Sequence, residues 1–154
     1  MIKFLVIILI CLLEACISKK RESKMSQKSE TDLQEVADKY YENNIYPEAK
    51  ILFDSLLRLD STNASNYHKR GYIKYYYYKD FTSSKSDLLK AIKYEYINSK
   101  SSYLTLGTIY MVEENYDSSM YCYNKALEID SGYLKAINAK NELEILIKER
   151  RKVH

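Results

Sequence analysis

The chain has 154 residues, 46% of them apolar, which is enough for one domain with a buried core. Its 3 glycines and 1 proline disfavour a turn-rich β fold and favour long helices joined by short loops. The 24 basic and 21 acidic residues are mixed along the chain and give a net charge of +3. This balance argues against a dedicated nucleic-acid-binding protein.

The N-terminus is typical of an export signal. A short basic start is followed by an unbroken apolar run of ten residues, 4–13. The run is too short for a helix that crosses ~30 Å of hydrocarbon, and its layout is that of a secretory signal peptide. It ends in Leu13-Glu14-Ala15-Cys16, which resembles the lipobox of bacterial lipoproteins, where a Leu, a small residue and a Cys mark the cleavage site.

This resemblance implies that residues 1–15 are a lipoprotein signal peptide and that Cys16 carries a diacylglyceryl group. Residues 16–30 would then be the lipidated cysteine and a flexible tether, because they contain few large apolar side chains. Cys122 would be the only free thiol, so no internal disulfide could form. The alternative is an ordinary signal peptide or an uncleaved anchor, with Cys16 incidental.

Beyond the tether, apolar residues recur at helical spacing. The pattern predicts seven helices, at about 31–43, 46–59, 64–78, 82–96, 100–114, 117–129 and 133–151. The last helix is apolar on one side and charged on the other, as expected of a helix that caps a stack. Its basic end, from Lys148 to Lys152, suits the negative end of the helix dipole; a nucleic-acid-binding patch is the alternative.

The predicted helices repeat in pairs. Ala49, Ser84 and Ser119 lie 35 residues apart, each at the same place in a two-helix unit. The third unit carries the fullest pattern: Tyr103, Leu106, Gly107, Tyr110, Ser119, Tyr123, Ala126 and Ser131. This pattern resembles the tetratricopeptide repeat. The resemblance implies an all-α fold, an α-solenoid of three helix-turn-helix hairpins at 31–63, 64–99 and 100–132, with a C-terminal capping helix at 133–154.

The middle unit departs most from the pattern. Gly71 to Ser84 spans 13 residues, whereas Gly107 to Ser119 spans 12, and the stretch from Ser84 to Gly107 is also one residue longer than its counterpart. Two single-residue insertions, one on each side of the unit's second helix, are the simplest explanation. The first adjoins four tyrosines at 75–78. Because successive residues step ~100° around a helix, at least one or two of these rings must face solvent or a partner.

Tetratricopeptide domains usually bind extended or helical peptides along a groove lined by the first helix of each pair. The resemblance places these residues in the groove: Gln34, Asp38, Tyr41, His68, Tyr72, Tyr75, Tyr76, Leu104, Thr108 and Met111. The predicted cleft is aromatic and weakly charged, and Tyr is a common hot-spot residue. A carboxylate clamp of the chaperone-adaptor kind is not expected, since only Lys69 is basic among its corresponding positions: Gln34, Asp38, Lys69, Ser101 and Thr105.

The sequence carries no pattern that predicts catalysis. His68 and His154 are the only histidines, no Cys/His pair has metal-ligand spacing, and no Gly-rich loop could hold a phosphate. We therefore predict no enzyme activity, no catalytic residue, no cofactor, no metal site and no nucleic-acid partner.

The predicted function is that of a protein-interaction scaffold or adaptor, held by its N-terminal lipid in the bacterial cell envelope, with a protein or peptide partner in the groove. A pilotin-like assembly factor for an outer-membrane complex, or an accessory subunit of a cell-wall enzyme, is the alternative. Ile17 follows Cys16 in place of the Asp that retains many lipoproteins at the inner membrane. This favours the periplasmic face of the outer membrane.

Overall fold

The computed structural model describes residue 20 and residues 29–94 and 98–153, which contain seven α-helices. They are α1 at 29–42, α2 at Tyr46–Leu59, α3 at Ala64–Ile73, α4 at Phe81–Lys93, α5 at Ser99–Val112, α6 at Tyr116–Ile129 and α7 at Leu134–Val153. The predicted signal peptide, Cys16 and most of the predicted tether lie outside these residues. Within them, no helix has the length and apolar character needed to cross a bilayer.

The architecture confirms the predicted all-α solenoid. Three helical hairpins, α1–α2, α3–α4 and α5–α6, follow one another, and α7 packs against α5 and α6 at the end of the stack. The prediction for α4 was wrong at its C-terminal end, because the helix stops at Lys93 and not at residue 96. The chain leaves helical geometry at Tyr94, whose amide still donates to the carbonyl of Lys90.

Small residues bring the two helices of each hairpin close together. Ala37 and Ala49, which occupy these positions in the first hairpin, are both fully buried. In the third hairpin the hydroxyl of Ser119 donates a 2.8 Å hydrogen bond to the carbonyl oxygen of Gly107. The middle hairpin has the same bond at the same length, from Ser84 to Gly71. The 35-residue period therefore marks the point where the helices cross.

Each hairpin turn contains one residue in the left-handed region. These residues are Asn44, Lys79 and Glu114, with φ of 59°, 55° and 59°. In the first and third turns the following amide donates five residues back along the chain, which closes a Schellman motif. The turns thus repeat as regularly as the helix crossings.

The middle turn is wider, and this is where the first predicted insertion lies. The amide of Asp80 donates to the carbonyl of Lys74, six residues back, and the last turn of the helix is a π-helix over Lys74–Tyr78. A π-helix holds one more residue per hydrogen-bonded loop than an α-helix does. The second predicted insertion lies between the end of α4 at Lys93 and the start of α5 at Ser99, and residues 95–97 lie outside the described residues.

An ion network joins the helices of the middle hairpin. Arg70 donates to both carboxylate oxygens of Asp87, at 2.8 and 2.7 Å, and to Asp54 on α2 at 2.8 Å. Lys74 Nζ lies 2.7 Å from Asp87 Oδ2. Because the Asp87 side chain is only 3% exposed, these partners replace the water that a carboxylate would otherwise bind. We refer to Arg70, Lys74, Asp54 and Asp87 as the ion network.

Candidate functional site

A cleft of about 370 Å³ opens across the first helices of the three hairpins. Its walls come from α1, α3 and α5, from the first hairpin turn and from the start of α7. The lining residues are Tyr41, Glu42, Asn44, Tyr46, His68, Tyr72, Ser101, Leu104, Thr105, Tyr133 and Lys135. We refer to this cleft as the groove.

Four of the ten predicted groove residues line it: Tyr41, His68, Tyr72 and Leu104. They come from three different helices and are brought together only by the stacking of the hairpins. The groove is therefore a property of the whole repeat array, because no single hairpin could form it.

Two of the predicted residues, Gln34 and Asp38, join α1 to α3 and do not line the groove. The amide group of Asn66 donates to Gln34 at 2.9 Å, and Lys69 donates to Asp38 at 2.7 Å. Their polar groups thus hold two neighbouring helices together. The ion pair also partly neutralises Lys69, the one basic residue at the positions of the carboxylate clamp.

The predicted residues Thr108 and Met111 also lie outside the groove lining. The Thr108 hydroxyl donates to the carbonyl of Leu104 at 3.0 Å, and the Met111 sulfur accepts from the hydroxyl of Tyr123 at 3.9 Å. Both side chains are half-buried on α5. Their contacts within the third hairpin account for their positions.

Tyr75 and Tyr76, the remaining two, lie just beyond the groove. Tyr75 packs into the core between the second and third hairpins and contacts Phe81, with ring centroids 6.2 Å apart. Tyr76 stacks on the groove residue Tyr72, with ring centroids 5.6 Å apart and an interplanar angle of 7°. Tyr76 therefore extends the aromatic wall of the groove outwards.

This wall is a cluster of tyrosines built by the first two hairpins. Tyr46 contacts Tyr41, Tyr76 and Tyr77, with ring centroids 6.1, 5.7 and 5.9 Å apart. We refer to Tyr41, Tyr46, Tyr72, Tyr76 and Tyr77 as the tyrosine cluster. Burial, and then the neighbouring tyrosines, raise the pKa of Tyr46 and of Tyr72 above the ordinary value, so both hydroxyls stay protonated at neutral pH.

The outer part of the cluster is exposed. Tyr76, Tyr77 and Tyr78 are 51%, 53% and 45% exposed, as expected for consecutive residues that cannot all face the core. Lys79 Nζ lies 5.4 Å from the centroid of the Tyr76 ring, within cation–π range. Large exposed rings beside a cleft provide binding area with few rotatable bonds.

His68 lies at the base of the groove as a neutral group. Its side chain is buried, and Nδ1 lies 2.7 Å from the hydroxyl oxygen of Ser102 on α5. Burial, with a smaller contribution from Lys69, lowers the pKa of His68 to about 4. The imidazole therefore adds no charge to the groove at neutral pH.

Besides Ser101 and Thr105, which the sequence analysis named among the positions of the carboxylate clamp, sequence reasoning missed five of the lining residues: Glu42, Asn44, Tyr46, Tyr133 and Lys135. Glu42 is the last residue of α1, and the other four lie outside the first helices, from which alone the prediction took residues. The left-handed turn at Asn44 was the available signal, since it directs Tyr46 back over α1. The hydroxyl of Tyr46 donates to the side chain of Asn44 at 2.6 Å.

Neither a known protein family nor a curated protein matches the sequence, but solved structures match the fold. The first tetratricopeptide (TPR) domain of Spaghetti (RPAP3), bound to the HSP90 peptide SRMEEVD, has a TM-score of 0.69 at 18% identity, over 77% of this chain and 93% of that chain. The Arabidopsis OM64 TPR domain has a TM-score of 0.69 at 19% identity, over 75% of this chain and 94% of that chain. This chain has the tetratricopeptide-repeat fold.

A third similar structure is that of PcrH in complex with the chaperone binding region of PopD. It has a TM-score of 0.68 at 13% identity, over 80% of this chain and 95% of that chain. Two of these three structures thus hold a segment of another protein. In the described part of the present chain, no three His, Cys, Asp or Glu side chains are grouped so as to hold a metal ion.

Proposed function

We propose that this tetratricopeptide domain is a scaffold that binds a segment of another protein in its groove. The single observation that carries the proposal is the cleft of about 370 Å³ whose aromatic wall continues into exposed tyrosines. Tyrosine rings bury large apolar areas and keep a hydroxyl for hydrogen bonding, which suits a peptide. Similar domains bind peptides, as the complexes with SRMEEVD and with the PopD segment illustrate.

The charges in the groove favour an uncharged segment over an acidic tail. Lys69 is paired with Asp38 at 2.7 Å, and His68 is neutral, so the floor of the groove presents no net positive charge. Glu42 and Lys135, which both line the groove, have opposite charges. An acidic peptide such as SRMEEVD would therefore meet little attraction here.

We further propose that the protein is a lipoprotein of the bacterial envelope, anchored through Cys16 with the domain on the periplasmic face of the outer membrane. The support is the lipobox-like sequence that ends at Cys16 and the polar stretch that follows it. Anchoring by acyl chains would hold the groove near the membrane, since each buried methylene contributes ~0.8 kcal/mol. A pilotin-like role, or delivery of a cell-wall enzyme, would be specific forms of this scaffold.

A photocrosslinking experiment tests the groove directly. A benzophenone amino acid is placed at Leu104 in the groove and, as a matched control, at the exposed Ile51 on α2. The proposal expects one discrete crosslinked protein from position 104 in cells, none from position 51, and loss of the crosslink in Tyr72→Ala. Equal crosslinking from both positions, or a crosslink that Tyr72→Ala leaves intact, contradicts the groove as the binding site.

The lipid anchor is tested separately. Cys16→Ala, or globomycin treatment of the unchanged protein, should leave an unprocessed precursor that lacks the acyl label. A mature species of unchanged size and labelling after either treatment contradicts lipidation, and it does so without bearing on the groove.

A further inference from the structure

A second cleft lies against a different face of α5, between α4 and α6. It encloses about 370 Å³, which is at the lower end of the ~300–1,000 Å³ range of ligand pockets. Its lining is mostly apolar and comprises Leu89, Tyr103, Leu106, Tyr110, Asp117, Ser118, Tyr121 and Cys122. We refer to it as the α4–α6 pocket. None of these residues lines the groove.

The α4–α6 pocket occupies the positions that the ion network fills one repeat earlier. Asp54 and Asp87 correspond, 35 residues on, to Leu89 and Cys122. Arg70 and Lys74 correspond, 36 residues on, to Leu106 and Tyr110. All four residues of the ion network thus become apolar or aromatic residues of the pocket. One inter-hairpin space is closed by long charged side chains, and the next is left open and apolar.

The rim of the pocket exposes large side chains. Leu89 and Tyr121 are 52% and 59% exposed. Tyr103 and Tyr110 are half-buried and stand seven residues apart on α5, about 10.5 Å along the helix. The space between the two rings can take a side chain inserted from outside, with Leu106 and Cys122 beneath it. Apolar pockets of this kind are where partner side chains contribute most to binding.

The charges around the pocket leave a carboxylate available. Lys85 and Lys125, which lie over the rings of Tyr110 and Tyr121, are each within 2.6 Å of a glutamate of the same chain, Glu113 and Glu128. Asp117 also lines the pocket, and among the described residues it forms no ion pair. A basic group on the partner would therefore be attracted to this end of the pocket.

We propose that the α4–α6 pocket is a second docking site, for a partner protein that inserts a leucine or similar side chain next to a basic residue. The apolar side chain lies between Tyr103 and Tyr110, and the basic residue pairs with Asp117. The site is separate from the groove, so the domain can hold two protein segments at once. This inference does not depend on what occupies the groove.

Cys122 at the base of the pocket provides a local reporter of low basal reactivity, because it is 4% exposed and burial raises the pKa of its thiol to about 11. The experiment uses the chain from residue 16 onwards with Cys16→Ser, which leaves Cys122 as the only thiol. Three capped hexapeptides are compared as probes: Ala-Ala-Leu-Lys-Ala-Ala, the same peptide with Glu in place of Lys, and the same peptide with Ala in place of Leu. The readouts are the rate of Cys122 alkylation by iodoacetamide and amide shifts in NMR titrations.

The proposal expects the Leu-Lys peptide to slow alkylation saturably and to shift amides of α5 and α6. The Leu-Glu peptide should bind about two- to fivefold more weakly, as expected for a solvent-exposed ion pair, and the Ala-Lys peptide should not protect Cys122. Asp117→Asn should bring the affinities of the two leucine peptides together. No protection by the Leu-Lys peptide overturns the proposal, and equal binding of both leucine peptides overturns the role of Asp117.

Two variants keep the test independent of folding. Leu89→Asp, which installs the residue found one repeat earlier, should abolish protection, while Ile51→Asp, at another exposed apolar residue, on α2, should not change it. If circular dichroism shows that Leu89→Asp is unfolded, Tyr121→Ser at the rim takes its place. Protection that survives both Leu89→Asp and Tyr121→Ser overturns the pocket as the binding site.

Discussion

Arg70 and Asp87 form a two-point ion pair, with Nε and Nη2 of the guanidinium 2.8 and 2.7 Å from the two carboxylate oxygens. The pair lies between α3 and α4, where the third hairpin places Leu106 and Cys122. A buried carboxylate is tolerated only while its partners remain. Removing only one charge of the Arg70–Asp87 pair should therefore lower the stability of the fold more than removing both.

The first prediction concerns this pair. Asp87→Ala should lower the free energy of unfolding by about 3–5 kcal/mol, because Arg70 and Lys74 lose a shared buried partner. The double variant Arg70→Leu, Asp87→Cys carries the residues of the third hairpin and should recover most of that loss. Urea unfolding monitored by circular dichroism measures both. A double variant that is less stable than Asp87→Ala contradicts this account.

The second prediction concerns the glycines at the helix crossings of the second and third hairpins. A Cβ atom on Gly107 would lie 2.6 Å from Cδ1 of the buried Tyr123 ring, so Gly107→Ala should destabilise the fold by about 1–3 kcal/mol. A Cβ on Gly71 would lie 3.1 Å from Leu88 Cγ and 3.2 Å from Asp87 Cβ, contacts that shifts of a few tenths of an ångström would relieve. The Tm of Gly71→Ala should therefore be much closer to that of the wild type than the Tm of Gly107→Ala. Gly132→Ala, whose nearest atom is 3.5 Å away, is the control.

The third prediction concerns the left-handed turn residues. Lys79 has φ of 55°, a conformation that is costly for a side chain with a Cβ. Lys79→Gly should raise the free energy of unfolding by about 0.5–1 kcal/mol. Loss of the cation–π contact between Lys79 and Tyr76 would reduce this gain. Asn44→Gly should raise the free energy of unfolding by a smaller amount, because Asn already tolerates the left-handed region. An equal gain at both sites contradicts the conformational explanation.

The fourth prediction concerns the pH dependence of stability. Burial lowers the pKa of His68 to about 4, from an ordinary value of 6.5. Above pH 6.5 the imidazole is neutral in both states; as the pH falls towards 4, only the unfolded chain takes up the proton. Stability should therefore fall on acidification by up to about 1.4 kcal/mol per pH unit in this window.

The control for this fourth prediction is His68→Gln, which keeps a side chain that can hydrogen-bond to Ser102. Its stability should change little between pH 6.5 and 5, where most carboxylates remain ionised. Denaturation midpoints at half-unit pH steps compare the two proteins. Parallel curves for the wild type and His68→Gln over this interval would mean that His68 does not titrate as its burial implies.

The fifth prediction concerns the π-helix. Deleting Tyr77 brings Gly71 to Ser84 down to 12 residues, the spacing of the third hairpin, so the turn should close as an α-helix without loss of stability. The exposed part of the tyrosine cluster would be rearranged, and the proposed groove crosslink should weaken. Deleting Val112 from the third hairpin is the matched control and should destabilise. Equal destabilisation by the two deletions contradicts the interpretation that the π-helix accommodates an inserted residue.

The fold followed from the sequence because periodicity and spacing are local signals. Apolar residues at helical spacing predicted the hairpins, and the 35-residue recurrence of Ala49, Ser84 and Ser119 marked the crossings. The single-residue insertion before Ser84 was also visible, but its form was not, because a longer loop and a π-helix have the same length. The hydrogen bonding at Lys74 distinguishes the two.

The site followed only in part, since its walls come from elements distant in sequence. Tyr41 and Leu104 could be predicted from their helix positions, whereas Tyr133 and Lys135 line the groove only because α7 packs at the end of the stack. The ion network was missed for a similar reason. Arg70 occupies the position that Leu106 holds in the third hairpin, and its partners lie 16 and 17 residues away.

The left-handed residues keep a period of 35 throughout, while Ala37, Gly71 and Gly107 in the first helices are spaced by 34 and 36 residues. Changes in length are thus confined to the stretch between the end of one second helix and the left-handed residue of the next turn. The stretches 44–58, 79–93 and 114–128 are equivalent in length and could be exchanged between hairpins without changing the spacing of the repeats. The helices that line the groove can therefore diverge in length and composition while the second helices keep their spacing.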